Sequence, residues 1–227
     1  MSRLERSAHL RSSKSLTAHT TLALQIIKYV ETGEKRSFAE QQIIDCAYDF
    51  GVNGCDGGDA KPAINYVAAA GGIALEQDYY YHSTADFCWA KNFTAVGKFD
   101  GFLQVEPRNE AALMEAVYTK GPLAVGVDPS PDSFLFYKEG VYTSDECDIN
   151  DLDHQVILMG YGTTDDGQDY WLMKNMWSKF WGNDGYMKIE RGKGDCGIAT
   201  DGNVVVVSEG SRMPGSSSRS LEGVVKW

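Results

Sequence analysis

The stretch Leu152–Gly162, LDHQVILMGYG, sets a titratable ring against an apolar run. His154, one of four histidines in the chain, stands just ahead of Val156–Met159, which ends at Gly160-Tyr161-Gly162. A short apolar run bounded by glycines predicts a buried strand. An imidazole at the mouth of such a strand is well placed for proton transfer, whereas His9, His19 and His82 have no comparable context. Three spans of similar texture share this half of the chain: Leu123–Val127, Tyr170–Lys174 and Tyr186–Glu190, separated by Gly and Asp turns. After the second of them comes Asn175, then Trp177 and Trp181. An asparagine can orient an imidazole, and indoles can shield it from water.

Upstream the texture is helical. Residues 17–30 carry apolar positions near helical spacing, with Gly33 as a stop. Ser37 and Glu40 have the S-x-x-E spacing of a capping box, which predicts a helix from Ser37 with the apolar stripe Ile43, Ile44 and Ala47. A third helix is predicted from Ala60 to Ala70, ended by Gly71-Gly72. Asn109 caps a fourth, Glu110–Thr119, which Gly121 terminates. Helices first and strands second predict an α+β chain of two lobes, with a cleft between them as the natural place for a site. The divisions expected are a divergent basic segment 1–14, a mainly helical lobe 15–102, a mainly β lobe 103–207 and a disordered Ser/Gly/Arg-rich tail 208–227.

Composition narrows the classes. The 227 residues are 43% hydrophobic and 23% charged, enough apolar material for a packed core. A net charge of −11 argues against nucleic acid or an anionic membrane as partner. No apolar run reaches the ~18 residues of a membrane span. Residues 1–14 are polar and basic without an apolar core, so no secretory signal is expected there. The five cysteines stand at positions 46, 55, 88, 147 and 196 with no C-x-x-C pair, which argues against a zinc site, and no other metal or cofactor is indicated. Wide spacing suits disulfides formed in an oxidising compartment, with one thiol left over. Asn92-Phe93-Thr94 is an N-glycosylation sequon. The acidic stretch Asp145–Asp153 lacks the spacing of a calcium loop and reads as a solvated turn.

Several longer motifs occur in order: Ala39–Cys46, AEQQIIDC; Asn53–Gly58, NGCDGG; Gly121–Val125, GPLAV; Leu152-Asp153-His154; Asp169–Asn175, DYWLMKN; and Trp177–Tyr186. Through these the chain resembles the papain family of cysteine peptidases from about Thr32 to Val207. The resemblance implies a papain-like α+β fold, with a helical left lobe, an antiparallel β-barrel-like right lobe and the active cleft between them. It implies hydrolysis of peptide bonds by a thiol–imidazole mechanism. His154 then matches the catalytic imidazole that accepts and returns the proton, Asn175 the residue that holds it, and Trp177 the ring that covers their hydrogen bond. Met176 stands where the family usually has Ser. Gly57 and Gly58 match the edge where extended substrate pairs, and glycine lets two backbones approach closely. Asp59, Ala60, Gly126, Gln155 and Asp201 match the selectivity pocket, and Asp153 and Trp177 join the substrate-binding set. Two carboxylates, Asp59 and Asp201, would favour a basic side chain there. The resemblance also implies the disulfides Cys46–Cys88 and Cys147–Cys196 and leaves Cys55 unpaired. The partners it implies are a peptide or protein substrate and cystatin-like or propeptide inhibitors, acting on a monomer. The setting is lysosomal, vacuolar or extracellular.

The nucleophile breaks the pattern. The family motif Gln-Gly-x-Cys-Gly-Ser-Cys-Trp is missing. Counting back from Cys46 puts Ser15 at the nucleophile position and Leu16 at the Trp position. The same count puts His9 at the oxyanion-hole Gln and Ser12 at the cysteine that would bridge to Cys55. Two readings stay open. In one, residues 1–31 are a true divergence and the protein is a non-catalytic peptide-binding or structural relative. In the other, they derive from an altered start, and the active form carries the thiol.

Overall fold

The computed structural model describes residues 20–207 apart from 22, 27, 30–32 and 34. The basic segment and the tail expected at the two ends, with Ser15, Ser12, His9 and Leu16, lie outside the described residues. The chain divides into two compact units. One holds the described residues up to Leu103 and again from Val205; the other is Gln104–Val204.

In the first unit the described residues between 20 and 29 are helical, and Gly33 closes that stretch at φ +70°, its N–H donating to Tyr29 O at 2.7 Å. Helix α1 (Glu40–Cys46) and helix α2 (Ala60–Ala69) follow. Helix α2 ends as predicted, with Gly71 at φ +74°. Helix α1 does not begin at Ser37. Its N-cap is Ala39, without any side-chain cap bond. The cause lies in the preceding residues: Phe38 bridges to Leu75, and Ser37 O accepts from Glu76 N at 2.9 Å, so the segment stays extended. Ser37 is spent on a strand-like contact and cannot fold back onto the helix.

Burial on α1 goes beyond the apolar stripe. Gln41, Gln42 and Asp45 are also buried, and each is satisfied. Gln42 Nε2 donates to Tyr66 Oη at 3.0 Å while its Oε1 accepts from Ala74 N at 2.8 Å. Gln41 Nε2 donates to Asp45 Oδ1 at 2.8 Å and to Thr84 O at 2.7 Å. Asp45 Oδ2 accepts from Tyr79 Oη at 2.6 Å. These polar pins tie the long loop after α2 to α1, and the Cys46–Cys88 disulfide closes the same loop. Phe38, Ile43, Ile64 and Ile73 fill the unit's interior, with Phe38 edge-on to Phe99 of strand β1 (Phe99–Gln104).

The second unit opens with α3 (Glu110–Lys120), whose cap is the one predicted: Asn109 Oδ1 accepts from Ala112 N at 2.9 Å. Strand β2 (Leu123–Val127), the short helix α4 (Asp132–Leu135), and strands β3 (Val141–Tyr142), β4 (His154–Thr163), β5 (Asp169–Lys174), β6 (Tyr186–Glu190) and β7 (Gly202–Val207, its last three residues counted with the first unit) follow. The sheet order is β1-β7-β2-β4-β5-β6-β3. Neighbours pair antiparallel from β7 through β2, β4 and β5 to β6, but β3 pairs with β6 in parallel, with Val141 opposite Lys188. That parallel pair departs from the all-antiparallel expectation. It arises because a long excursion through Asp145–Asp153 and two whole strands separate β3 from β6 in sequence.

The core of this unit is Leu113, Val125, Val127, Phe134, Val156, Leu158, Trp171, Met173 and Met187. Strand β2 is buried along its whole length, as its unbroken apolar run LAVGV predicts. Glu110 supports the far end: its Oε2 accepts from Trp171 Nε1 at 2.9 Å and Gly192 N at 2.8 Å, and its Oε1 from Gly194 N at 2.7 Å. Cys147 pairs with Cys196.

Candidate active site

The antiparallel pairing of β2, β4 and β5 assembles the site. His154 opens β4 directly opposite Val127, and Asn175 is the first residue past β5, its N–H bound to Gly185 O at 2.9 Å. Because Ile157 faces Lys174 across the ladder, the two side chains converge at one end of the sheet. His154 Nε2 lies 3.0 Å from Asn175 Oδ1, which also accepts from Met176 N at 2.8 Å. A carbonyl oxygen only accepts, so Nε2 carries the proton and Nδ1 the lone pair. Nδ1 is therefore the basic atom of the site.

Trp177 covers the pair. Its ring lies 4.8 Å from the imidazole centroid at a 33° tilt. Two further rings hold Trp177 in place: Phe134 at 5.9 Å and Trp181 at 5.4 Å, both edge-on. Trp181 is anchored in turn by donating to Leu135 O at 3.1 Å. His154 and Asn175 are both buried. Burial pushes the imidazole pKa down to about 4, against the opposing effect of the Asn175 hydrogen bond, so the ring is neutral at pH 7. The sequence names Trp181 as a shielding indole but does not name Phe134. The tryptophans beyond Asn175 hinted at a shield, but Phe134 sits on a four-residue helix far upstream, and no local pattern links it to His154.

The selectivity positions fall in both units. In the second, Gly126 sits opposite Gln155 in the β2–β4 register, and its N–H donates to Asp201 O at 3.1 Å, so these three are brought together. A β-carbon on Gly126 would lie 3.1 Å from Leu152 Cδ1 and 3.3 Å from its Cβ, so a larger residue here would press on Leu152. The Asp201 carboxylate accepts from the Gln104 and Asn203 amides, each at 3.2 Å. Asp153, beside His154, is exposed. In the first unit Gly57 takes φ +98°, a conformation that favours glycine, while Gly58 is exposed and Ala60 is buried. Asp59 is the N-cap of α2 without a side-chain cap bond, and its Oδ1 is buried without a partner among the described residues. Cys55, in the single turn Gly54–Asp56, is the one cysteine outside a disulfide.

Known proteins agree with this architecture. The chain is 42% identical over 194 residues to a cathepsin L-like peptidase of Aedes aegypti, covering 85% of this chain and 56% of that protein. It is 40% identical over 184 residues to procathepsin L of Rattus norvegicus, covering 79% and 55%. The chain thus spans about half the length of the curated relatives it matches. A ragweed pollen cysteine protease solved in its proform superposes with a TM-score of 0.78 at 36% identity, covering 86% of this chain and 58% of that one. The bromelain protease of Ananas comosus, solved with an inhibitor, superposes with a TM-score of 0.77 at 30% identity, covering 85% and 88%. The fold is therefore papain-like α+β, and, with the model of the papain family cysteine proteases matching residues 12–206, the chain belongs to that family.

Proposed function

We propose that this chain carries the imidazole half of a papain-type peptidase site without a thiol to complete it, and that as written it binds peptides while hydrolysing them little or not at all. One observation supports this most: His154, Asn175 and Trp177 are assembled, while four of the five cysteines are locked in disulfides and the fifth, Cys55, belongs to a structural turn. In the complete site, Nδ1 of His154 takes the proton of a cysteine thiol and the thiolate attacks the scissile carbonyl. The imidazolium then returns the proton to the leaving amine, and water releases the acyl group. A buried imidazole pushed down to about pKa 4 charges near neutral pH only when an adjacent anion compensates. A thiolate supplies that anion near neutral pH; the hydroxyl of Ser15 does not. The two disulfides support function in an oxidising compartment, lysosomal, vacuolar or extracellular. The partners proposed are a peptide or protein and cystatin-like or propeptide inhibitors, bound to a monomer. The preference proposed, for Arg or Lys two residues before the scissile bond, rests on Asp59 and Asp201 matching the family's selectivity positions.

The test is turnover of fluorogenic peptides with Arg or Leu at that position. The chain as written gives no turnover above background. Ser15→Cys gains turnover that is lost again in Ser15→Cys/His154→Ala, yet stays about 10²–10³-fold below a complete site because the oxyanion-hole Gln is also missing. A Leu preference would sink the acidic-pocket assignment, and unassisted turnover by the unchanged chain would sink the proposal.

A further inference from the structure

We propose that Asn92 is an N-glycosylation site and that the first sugar of its glycan lies on the indole of Trp89. Of the eight asparagines in the chain, Asn92 alone stands in an N-x-S/T sequence. It closes the single turn Ala90–Asn92, and its N–H donates to Trp89 O at 2.9 Å. The next residue, Phe93, is extended, and its ring packs on buried Tyr79 at 5.0 Å. Trp89 N donates to Tyr79 Oη at 3.2 Å. Tyr79 therefore holds the turn on both sides of Asn92, with Phe93 directed inward. Residues flanking an extended inward-facing one point outward, and Asn92 and Thr94 are both exposed. Neither side chain has a hydrogen-bond partner among the described residues, so both are available to a glycosyl transferase and to the sugar it adds.

The second observation is the ring beside it. Trp89 stands three residues before Asn92, across the same turn, and is 49% exposed. A solvent-facing indole held at a fixed place offers a flat apolar face for the C–H side of a pyranose ring. The disulfide at Cys88 suits an oxidising compartment, the kind in which such transfer occurs. The step is a displacement. Asn92 Nδ2 attacks C1 of the reducing-end N-acetylglucosamine of a polyprenyl-pyrophosphate oligosaccharide, the C1–O bond breaks, the polyprenyl pyrophosphate leaves, and Nδ2 loses one proton.

The experiment uses the full chain secreted from eukaryotic cells behind a signal peptide. An amidase that cuts the Asn–sugar bond is expected to lower its mass by an oligosaccharide and leave Asp at position 92 in the peptide map. Asn92→Gln and Thr94→Ala, made separately, are expected to emerge at the deglycosylated mass. An unmodified Asn92 in the secreted unchanged chain overturns the site, and this readout needs no variant to fold. For the stacking, removing the glycan is expected to lower the melting temperature by about 2–4 °C in the unchanged chain and to leave Trp89→Ala nearly unmoved. Equal shifts in both overturn the role of Trp89.

Discussion

His154 Nε2 donates to Asn175 Oδ1 across 3.0 Å, and this bond holds the imidazole in one tautomer while burial keeps it neutral. The pairing sets the acid response of its unit. The unfolded imidazole takes a proton near its ordinary value of 6.5, whereas the folded one waits until about 4. The stability this group contributes is therefore fully present above 6.5 and is lost as pH falls toward 4, by about 3 kcal/mol at most. NMR titration of the ring should give a midpoint near 4. Asn175→Asp, which sets a carboxylate beside the ring, should raise it; Asn175→Ala should lower it further and cost about 1–3 kcal/mol through an unsatisfied Nε2–H.

Glu40, at the start of α1 in the other unit, responds with the opposite sign. Burial, and secondarily the neighbouring Glu76 carboxylate, raise its pKa from 4.5 to about 7. Here the unfolded state releases its proton first. The contribution to stability is present below 4.5 and is lost as pH rises to 7, on the order of 1–3 kcal/mol after allowance for partial exposure. Glu40→Gln should flatten the melting profile between those pH values and raise the melting temperature at neutral pH. A profile unchanged by the substitution would contradict the assignment.

Trp177 is a lid over the imidazole, wedged by Phe134 and Trp181. Trp177→Ala should cost about 3 kcal/mol and move the His154 midpoint upward toward the ordinary value as water reaches the ring. Trp177→Phe should retain most of both. Thermal melts and the same NMR titration check this.

Gly97 sits in tight side-chain packing in the first unit. A β-carbon there would lie 2.8 Å from the Phe38 ring and 2.9 Å from Ile73 Cγ2. Gly97→Ala should destabilise by about 1–3 kcal/mol, and Gly97→Ala combined with Phe38→Leu should recover part of the loss. Denaturant unfolding of the single and double variants measures it.

The sequence carried the features whose causes are local. Asn109 caps α3 because its side chain needs only residues three positions on, and β2, β5 and β6 follow from short apolar runs between turn residues. The Ser37 cap failed because a distant residue, Leu75, claims the adjoining backbone. Strand β1 escaped because Asp100 and Gly101 interrupt its alternation, and β3 because two residues carry too little pattern. The burial of Gln41, Gln42 and Asp45 was hidden for a similar reason: their partners lie 24 to 43 residues away, in helix α2 and in the loop after it, which has no regular period. At the site, the family motifs name His154, Asn175 and Trp177, and the fold brings these three together. Phe134 is not named, since three strands, β3, β4 and β5, separate it in sequence from Trp177.

The most direct measurement is covalent labelling of the full chain by a peptidyl epoxide or vinyl sulfone, with the modified residue mapped by mass spectrometry. An imidazole half-site without its thiol predicts no label that depends on His154, and at most slow, His154-independent modification of Cys55. Rapid labelling of the unchanged chain that disappears in His154→Ala would contradict the account.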